Sequence, residues 1–204
     1  MNSAIVSGWT VITLSGTSEL AVAKPSTPIP SDWGANNPAP AEGLQYLAFN
    51  TRGTTAGNIT IYQDFSTTAG ASYDVTFTVG ASSATSGGNQ PAAVKADIYD
   101  VLGGAVNGGS VASLTATGTA TGTAGEFFAP SAFSFTATGT TTRLVFTDMT
   151  GRTTNVDALL DGVAVATSPI PEPSTYAAII GALMLGVGVW RRRARPTARP
   201  ARHS

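Results

Sequence analysis

Up to about position 165 the apolar residues fall in short runs in which every second residue is apolar, bounded by Gly, Pro, Asn or Asp. The clearest is Tyr73-Asp74-Val75-Thr76-Phe77-Thr78-Val79. Its Tyr73, Val75, Phe77 and Val79 share one side of a period-two chain, so one face meets a core and the other meets water. Ile59, Ile61 and Phe65, the run from Val94 to Val101, Phe133 with Phe135, and Leu144 with Phe146 repeat the pattern. No helical period occurs before Tyr176, and the runs add up to about nine or ten strands. The predicted fold is therefore all-β, an antiparallel sandwich or jelly roll, followed by a single C-terminal hydrophobic helix.

Local punctuation refines this picture. The runs at 9–14 and 19–23 are separated by Ser15-Gly16-Thr17-Ser18, which carries the turn residues of a hairpin. Residues 24–42 are too proline-rich for regular structure and read as a long surface loop. The Thr/Ala/Gly tract at 111–125 has little to bury and reads equally as an edge strand or a loop. In the run at 157–165, alternation puts Asp161 on the same side as Val163 and Val165. An inward carboxylate needs hydrogen bonds, so Asp161 is expected to clamp backbone N–H groups, with Asp157 and Asp161 as calcium ligands the alternative. No cofactor is otherwise expected.

The end of the chain follows different rules. Pro171-Glu172-Pro173-Ser174 precedes an uncharged run at 176–190, then Arg191-Arg192-Arg193 and three further arginines with no carboxylate among them. The apolar run is about 15 residues, roughly 22 Å as a helix, short of the ~20 residues of a comfortable membrane span. Arginine snorkelling and bilayer thinning would let it span with the basic end on the cytoplasmic side, and Tyr176 and Trp190 would sit at the two interfaces.

This three-part order resembles the PEP-CTERM sorting signal of Gram-negative bacteria. The resemblance implies recognition of Pro171, Glu172 and Pro173 by an exosortase, a transient stay in the bacterial inner membrane through Tyr176, Trp190, Arg191, Arg192 and Arg193, and then a place at the cell surface or outside the cell. A plain C-terminal anchor behind a proline-rich linker is the alternative. Export calls for a basic and then apolar leader, which residues 1–20 do not supply. An upstream start is the corresponding expectation.

Composition excludes several chemistries. There is no cysteine, and the one histidine is His203 in the tail. Disulfides, thiolate and histidine metal sites and Ser-His-Asp catalysis are thereby excluded from the domain. Five cations face eleven carboxylates before residue 171, and such an acidic body has no basic stripe for nucleic acid. A carboxylate pair such as Asp148 with Asp157 is the remaining enzymatic option, and no spacing favours it.

For ligand contact, Trp33 stands out in the proline-rich loop beside Asp32, Asn36 and Asn37, since an indole stacks on the apolar face of a sugar. Asn50 and Arg52, at a strand end, are further candidates. Trp9 reads as core.

The order of motifs also resembles the galactose-binding-domain-like jelly rolls that often carry bacterial surface-sorting signals. The motifs are the early Trp strand, Gly43-Leu44-Gln45-Tyr46-Leu47, Ile61 to Phe65, Tyr73 to Phe77, Phe133 to Ala137, Leu144-Val145-Phe146 and Leu160 to Val165. The implied organisation is a sandwich at 1–166, a linker with the PEP motif at 167–175, a transmembrane helix at 176–190 and a basic tail at 191–204. The expected function is that of an exported non-enzymatic protein of the extracellular matrix, associated with exopolysaccharide. A glycan-active enzyme, or a secreted carbohydrate-binding module on a simple anchor, is the rival.

Overall fold

Twelve strands arise from the alternating runs in the computed structural model, which describes residues 8–14, 18–24, 37–50, 59–83, 91–119, 125–150, 156–169, 179–185, 187 and 190. The chain divides into two units, Met1–Ser168 and Pro169–Ser204. In the first, β1 (Thr10–Leu14), β4 (Ile59–Ser66), β11 (Thr141–Asp148) and β6 (Pro91–Leu102) form one sheet. The short β7 (Ala105–Val106) and the edge strand β8 (Ala112–Thr119) both pair with β6. The other sheet runs β10 (Ser131–Thr136), β5 (Ser72–Ser83), β12 (Val156–Thr167), β3 (Tyr46–Asn50) and β2 (Glu19–Ala23), with β9 (Glu126–Phe127) on β5. Every pairing is antiparallel. The result is the expected sandwich.

The core lies between the two sheets because the alternating apolar positions all turn there. Phe146 on β11 meets Phe77 on β5 edge to face, with ring centroids 5.2 Å apart. Trp9 leans on Phe146 at 5.6 Å from the other side. Phe49, Phe77 and Phe146 have no exposed surface, and each contributes roughly 1.5–3 kcal/mol by burial. A smaller cluster of Ala23, Tyr46, Ala48 and Leu159 covers part of the outer face of the second sheet, with Phe127 packed against it.

Two glycines make this packing possible. A Cβ on Gly80 would lie 2.8 Å from the Phe127 ring, and one on Gly118 would lie 2.0 Å from the Phe128 ring. The Thr/Ala/Gly tract is thus an edge strand over residues 112–119, small enough to let Phe128 lie across it.

Two expectations are corrected. The runs at 9–14 and 19–23 do not form a hairpin: β1 pairs with β4 in one sheet, and β2 pairs with β3 in the other. The connection crosses the sandwich, so each strand buries its apolar side in the shared core from opposite directions. Asp161 does not share a side with Val163 and Val165. The ladder of β12 on β5 shifts between Asp161 and Ala164, where Gly162 takes φ 58°. This bulge adds a residue and reverses the alternation, so Asp161 pairs with Thr78 on the outer face while Val163 and Val165 pack on the core. Its expected role is met all the same. Asp161 Oδ2 accepts from the Glu42 N–H at 3.0 Å, and Oδ1 accepts from the Gly162 N–H at 2.8 Å.

In the second unit, residues 179–185, 187 and 190 are helical. Among the described residues no helix is long and apolar enough to cross a membrane. Pro171, Glu172, Pro173, Tyr176 and Arg191 to Arg193 lie outside the described residues. Trp190 is helical and 69 % exposed.

Candidate functional site

The outer face of the first sheet departs from the usual solvated pattern. Register sets Asp64, Arg143 and Tyr99 side by side on β4, β11 and β6. One pleat along, Thr10, Tyr62, Val145, Asp97 and Ser113 form a row across β1, β4, β11, β6 and β8. The next row is Thr60, Thr147, Lys95 and Thr115. With strands about 4.8 Å apart and same-face rows about 6.8 Å apart, these rows form an array of aromatic, charged and hydroxyl groups across the sheet.

Arg143 fixes its centre. Its Nε and Nη2 donate to Asp64 Oδ1 and Oδ2 at 2.7 and 2.8 Å, and Nη2 also donates to the Gly104 carbonyl at 3.3 Å. The guanidinium carbon stands 3.8 Å from the centroid of the Tyr62 ring. A planar fork gripping a carboxylate while lying on an aromatic face is a geometry that lysine cannot reproduce. The hydrogen bond to Asp64 is the main reason the Arg143 pKa is raised. Asp64, Arg143 and Tyr62 therefore form one rigid unit held before any ligand arrives.

Beside it sits a carboxylate only half provided for. Asp97 is 4 % exposed although it is on the outer face. Its Oδ2 meets Lys95 Nζ at 3.0 Å, whereas Oδ1 is buried and has no hydrogen-bond partner among the described residues. An unmet buried acceptor costs about 1–3 kcal/mol.

The residues nominated from the sequence fall elsewhere. Asn50 ends β3 in the second sheet, opposite Glu19 in register and 8 % exposed. Trp33 and Arg52 lie outside the described residues. Asp148 and Asp157 belong to different sheets, on β11 and β12. Among the described residues no three His, Cys, Asp or Glu side chains are grouped to hold a metal ion. Trp9 is half-buried and packs on the core as expected. Tyr62, Asp64, Tyr99 and Arg143 were legible only as outward positions of alternating strands, since nothing in the sequence shows which strands are neighbours.

The layering is shared with solved structures. A cyclase from Fischerella sp. TAU, in complex with 4-(1H-indol-3-yl)butan-2-one, is similar at a TM-score of 0.54 and 14 % identity, over 84 % of this chain and 90 % of the cyclase. An arabinose-bound α-L-arabinofuranosidase is similar at 0.50 and 12 % identity, over 80 % of this chain and 24 % of the enzyme. The CBM22-1 xylan-binding domain from Paenibacillus barcinonensis is similar at 0.47 and 15 % identity, over 80 % and 88 % of the two chains. No protein-family model matches the chain, and no curated protein matches it. At these identities the likeness is one of fold.

Proposed function

We propose that this chain is a non-catalytic carbohydrate-binding sandwich, exported and sorted to the cell surface by its C-terminal segment. The observation that carries the binding reading is the array of Tyr62, Arg143, Asp64 and Tyr99 on an outer sheet face. An outward tyrosine ring such as Tyr99 offers apolar surface to the C–H faces of a sugar, and the charged and hydroxyl groups around it can select among its hydroxyls. Rows that span several strands suit an extended polysaccharide, whereas a small ligand calls for a concave pocket.

The sorting half of the proposal is supported by the order of Pro171-Glu172-Pro173, the apolar run and the arginine block. In this reading an exosortase is the partner, the inner membrane holds the chain in passing, and exopolysaccharide is what the sandwich meets outside.

Affinity electrophoresis of the full chain in gels containing neutral and acidic polysaccharides tests the binding half. Retardation should be seen with at least one polysaccharide, and Tyr99→Ala and Arg143→Lys should each abolish most of it. Retardation untouched by both, or turnover of any glycan by the pure protein, overturns the reading. The sorting half is tested in the native host by changing Pro171, Glu172 and Pro173 together to alanine. Unchanged mass and location of the mature protein would sink it.

A further inference from the structure

Two cavities open where the edge of the first sheet parts from the second, and both are lined by Trp9 and Val163. The larger is about 260 Å³, walled by Trp9, Gln63, Phe65, Leu144, Val163 and Val165. The smaller is about 160 Å³ and reaches past Leu47 and Leu160 to Asp161. Neither belongs to the Tyr62 face, which points away from the core.

Three features set this cleft apart from a packing gap. The first is a pair of irregularities on its two sides. The ladder of β1 on β4 shifts between Val11 and Thr13, and that of β12 shifts between Asp161 and Ala164. Bulges of this kind bend strands and gather beside functional sites. Next, Gln63 occupies a core-facing position of β4, between Ile61 and Phe65, where alternation calls for an apolar side chain. Its amide has no hydrogen-bond partner among the described residues, and Gly8 lies close beside it. With φ at 89°, Gly8 comes so close that a Cβ there would lie 3.0 Å from Gln63 Nε2. Finally, Trp9 is braced by Phe146 at 5.6 Å, which fixes the indole that lines both chambers.

An apolar chamber with one convergent polar group is the usual make-up of a small-molecule site. The larger chamber, at about 260 Å³, is somewhat below the roughly 300–1,000 Å³ typical of such pockets, which suits one ring or two fused rings. No charged residue lines the larger chamber, and both oxygens of Asp161 already accept backbone N–H groups. Charged ligands would lose their hydration without recompense.

We propose that this cleft is a second ligand site, which takes a small uncharged ring compound with its ring against Trp9 and one hydrogen-bonding substituent on the Gln63 amide. Such a ligand fills space beside the two bulges and gives the Gln63 amide a hydrogen-bond partner.

Equilibrium dialysis of the full chain against 2-naphthol and against naphthalene at neutral pH tests this. Wild type should take up one equivalent of 2-naphthol saturably. Gln63→Leu, which restores an apolar residue at a core-facing position and keeps the fold, should weaken 2-naphthol roughly ten-fold while leaving naphthalene uptake undiminished. Val163→Phe should fill the junction of the chambers and remove both. Absence of saturable uptake by wild type overturns the proposal. So does uptake indifferent to Gln63→Leu and Val163→Phe, the result expected if the compounds partition onto the apolar C-terminal segment.

Discussion

Arg143 rests its guanidinium 3.8 Å from the centre of the Tyr62 ring while both of its terminal contacts grip the Asp64 carboxylate, at 2.7 and 2.8 Å. The three residues come from two strands that adjoin only because β11 returns beside β4. The stability they share follows from planarity as much as from charge. Replacing Arg143 with Ala should cost about 1–2 kcal/mol, combining a bidentate pair with a cation–π contact. Arg143→Lys should recover less than half of that in urea unfolding. Full recovery by Lys would mean that charge alone matters.

The fit of Phe128 on Gly118 predicts strong non-additivity. Gly118→Ala puts a Cβ where the ring now lies, 2.0 Å away, and should destabilise the fold by about 1–3 kcal/mol. In a Phe128→Ala background the same change should cost a few tenths of a kcal/mol at most. A double-mutant cycle on the thermal midpoint measures the difference.

Gly162 is required by the backbone as well as by space. At φ 58° an alanine is strained, so Gly162→Ala should cost about 1–2 kcal/mol. It should also disturb the hydrogen bond from its N–H to Asp161. Hydrogen exchange at residues 161–165 should quicken relative to the rest of β12.

Tyr46 should report on alkaline unfolding. Burial, and next the negative charge of Asp161, push its hydroxyl up to about 12 from 10.0. A raised folded-state pKa means the stability it contributes is whole below pH 10 and is lost as pH climbs toward 12. Tyr46→Phe should flatten the fall in stability across that window. In ultraviolet titration it should also remove one late-ionising phenol.

At the acid end the sign reverses. Hydrogen bonds from Ser134 and then Ser168 hold the Asp74 pKa below its ordinary 3.8. Its contribution is complete above that value and fades as pH falls through the lowered one. Ser134→Ala with Ser168→Ala should therefore move acid unfolding to higher pH, read by circular dichroism.

Much of the sandwich could be read from alternation alone, because a strand with one wet face must alternate. The run Tyr73 to Val79 became the heart of β5, and that from Val94 to Val101 the heart of β6. What failed was what alternation does not encode. Ser15 to Ser18 has the same turn residues whether the chain reverses within a sheet or crosses to the other. Gly162 looks like any strand glycine until its φ shows a bulge, and with it the facing of Asp161 changes. The Tyr62 face is a product of register: Arg143 lies 79 positions from Asp64 in sequence and beside it in space. Gln63 did carry a signal, an amide on the apolar beat of β4, that passes unnoticed without the cavity it lines.

The last strand made, β12, lies between β5 and β3 in the middle of its sheet. Without it that sheet is two disconnected fragments, β3 with β2 and β5 with its partners β9 and β10. The domain therefore has no finished state until residue 167 is available, and pairings across such sequence distances form slowly. A nascent chain stays pliable until residues 156–167 arrive to join the two fragments.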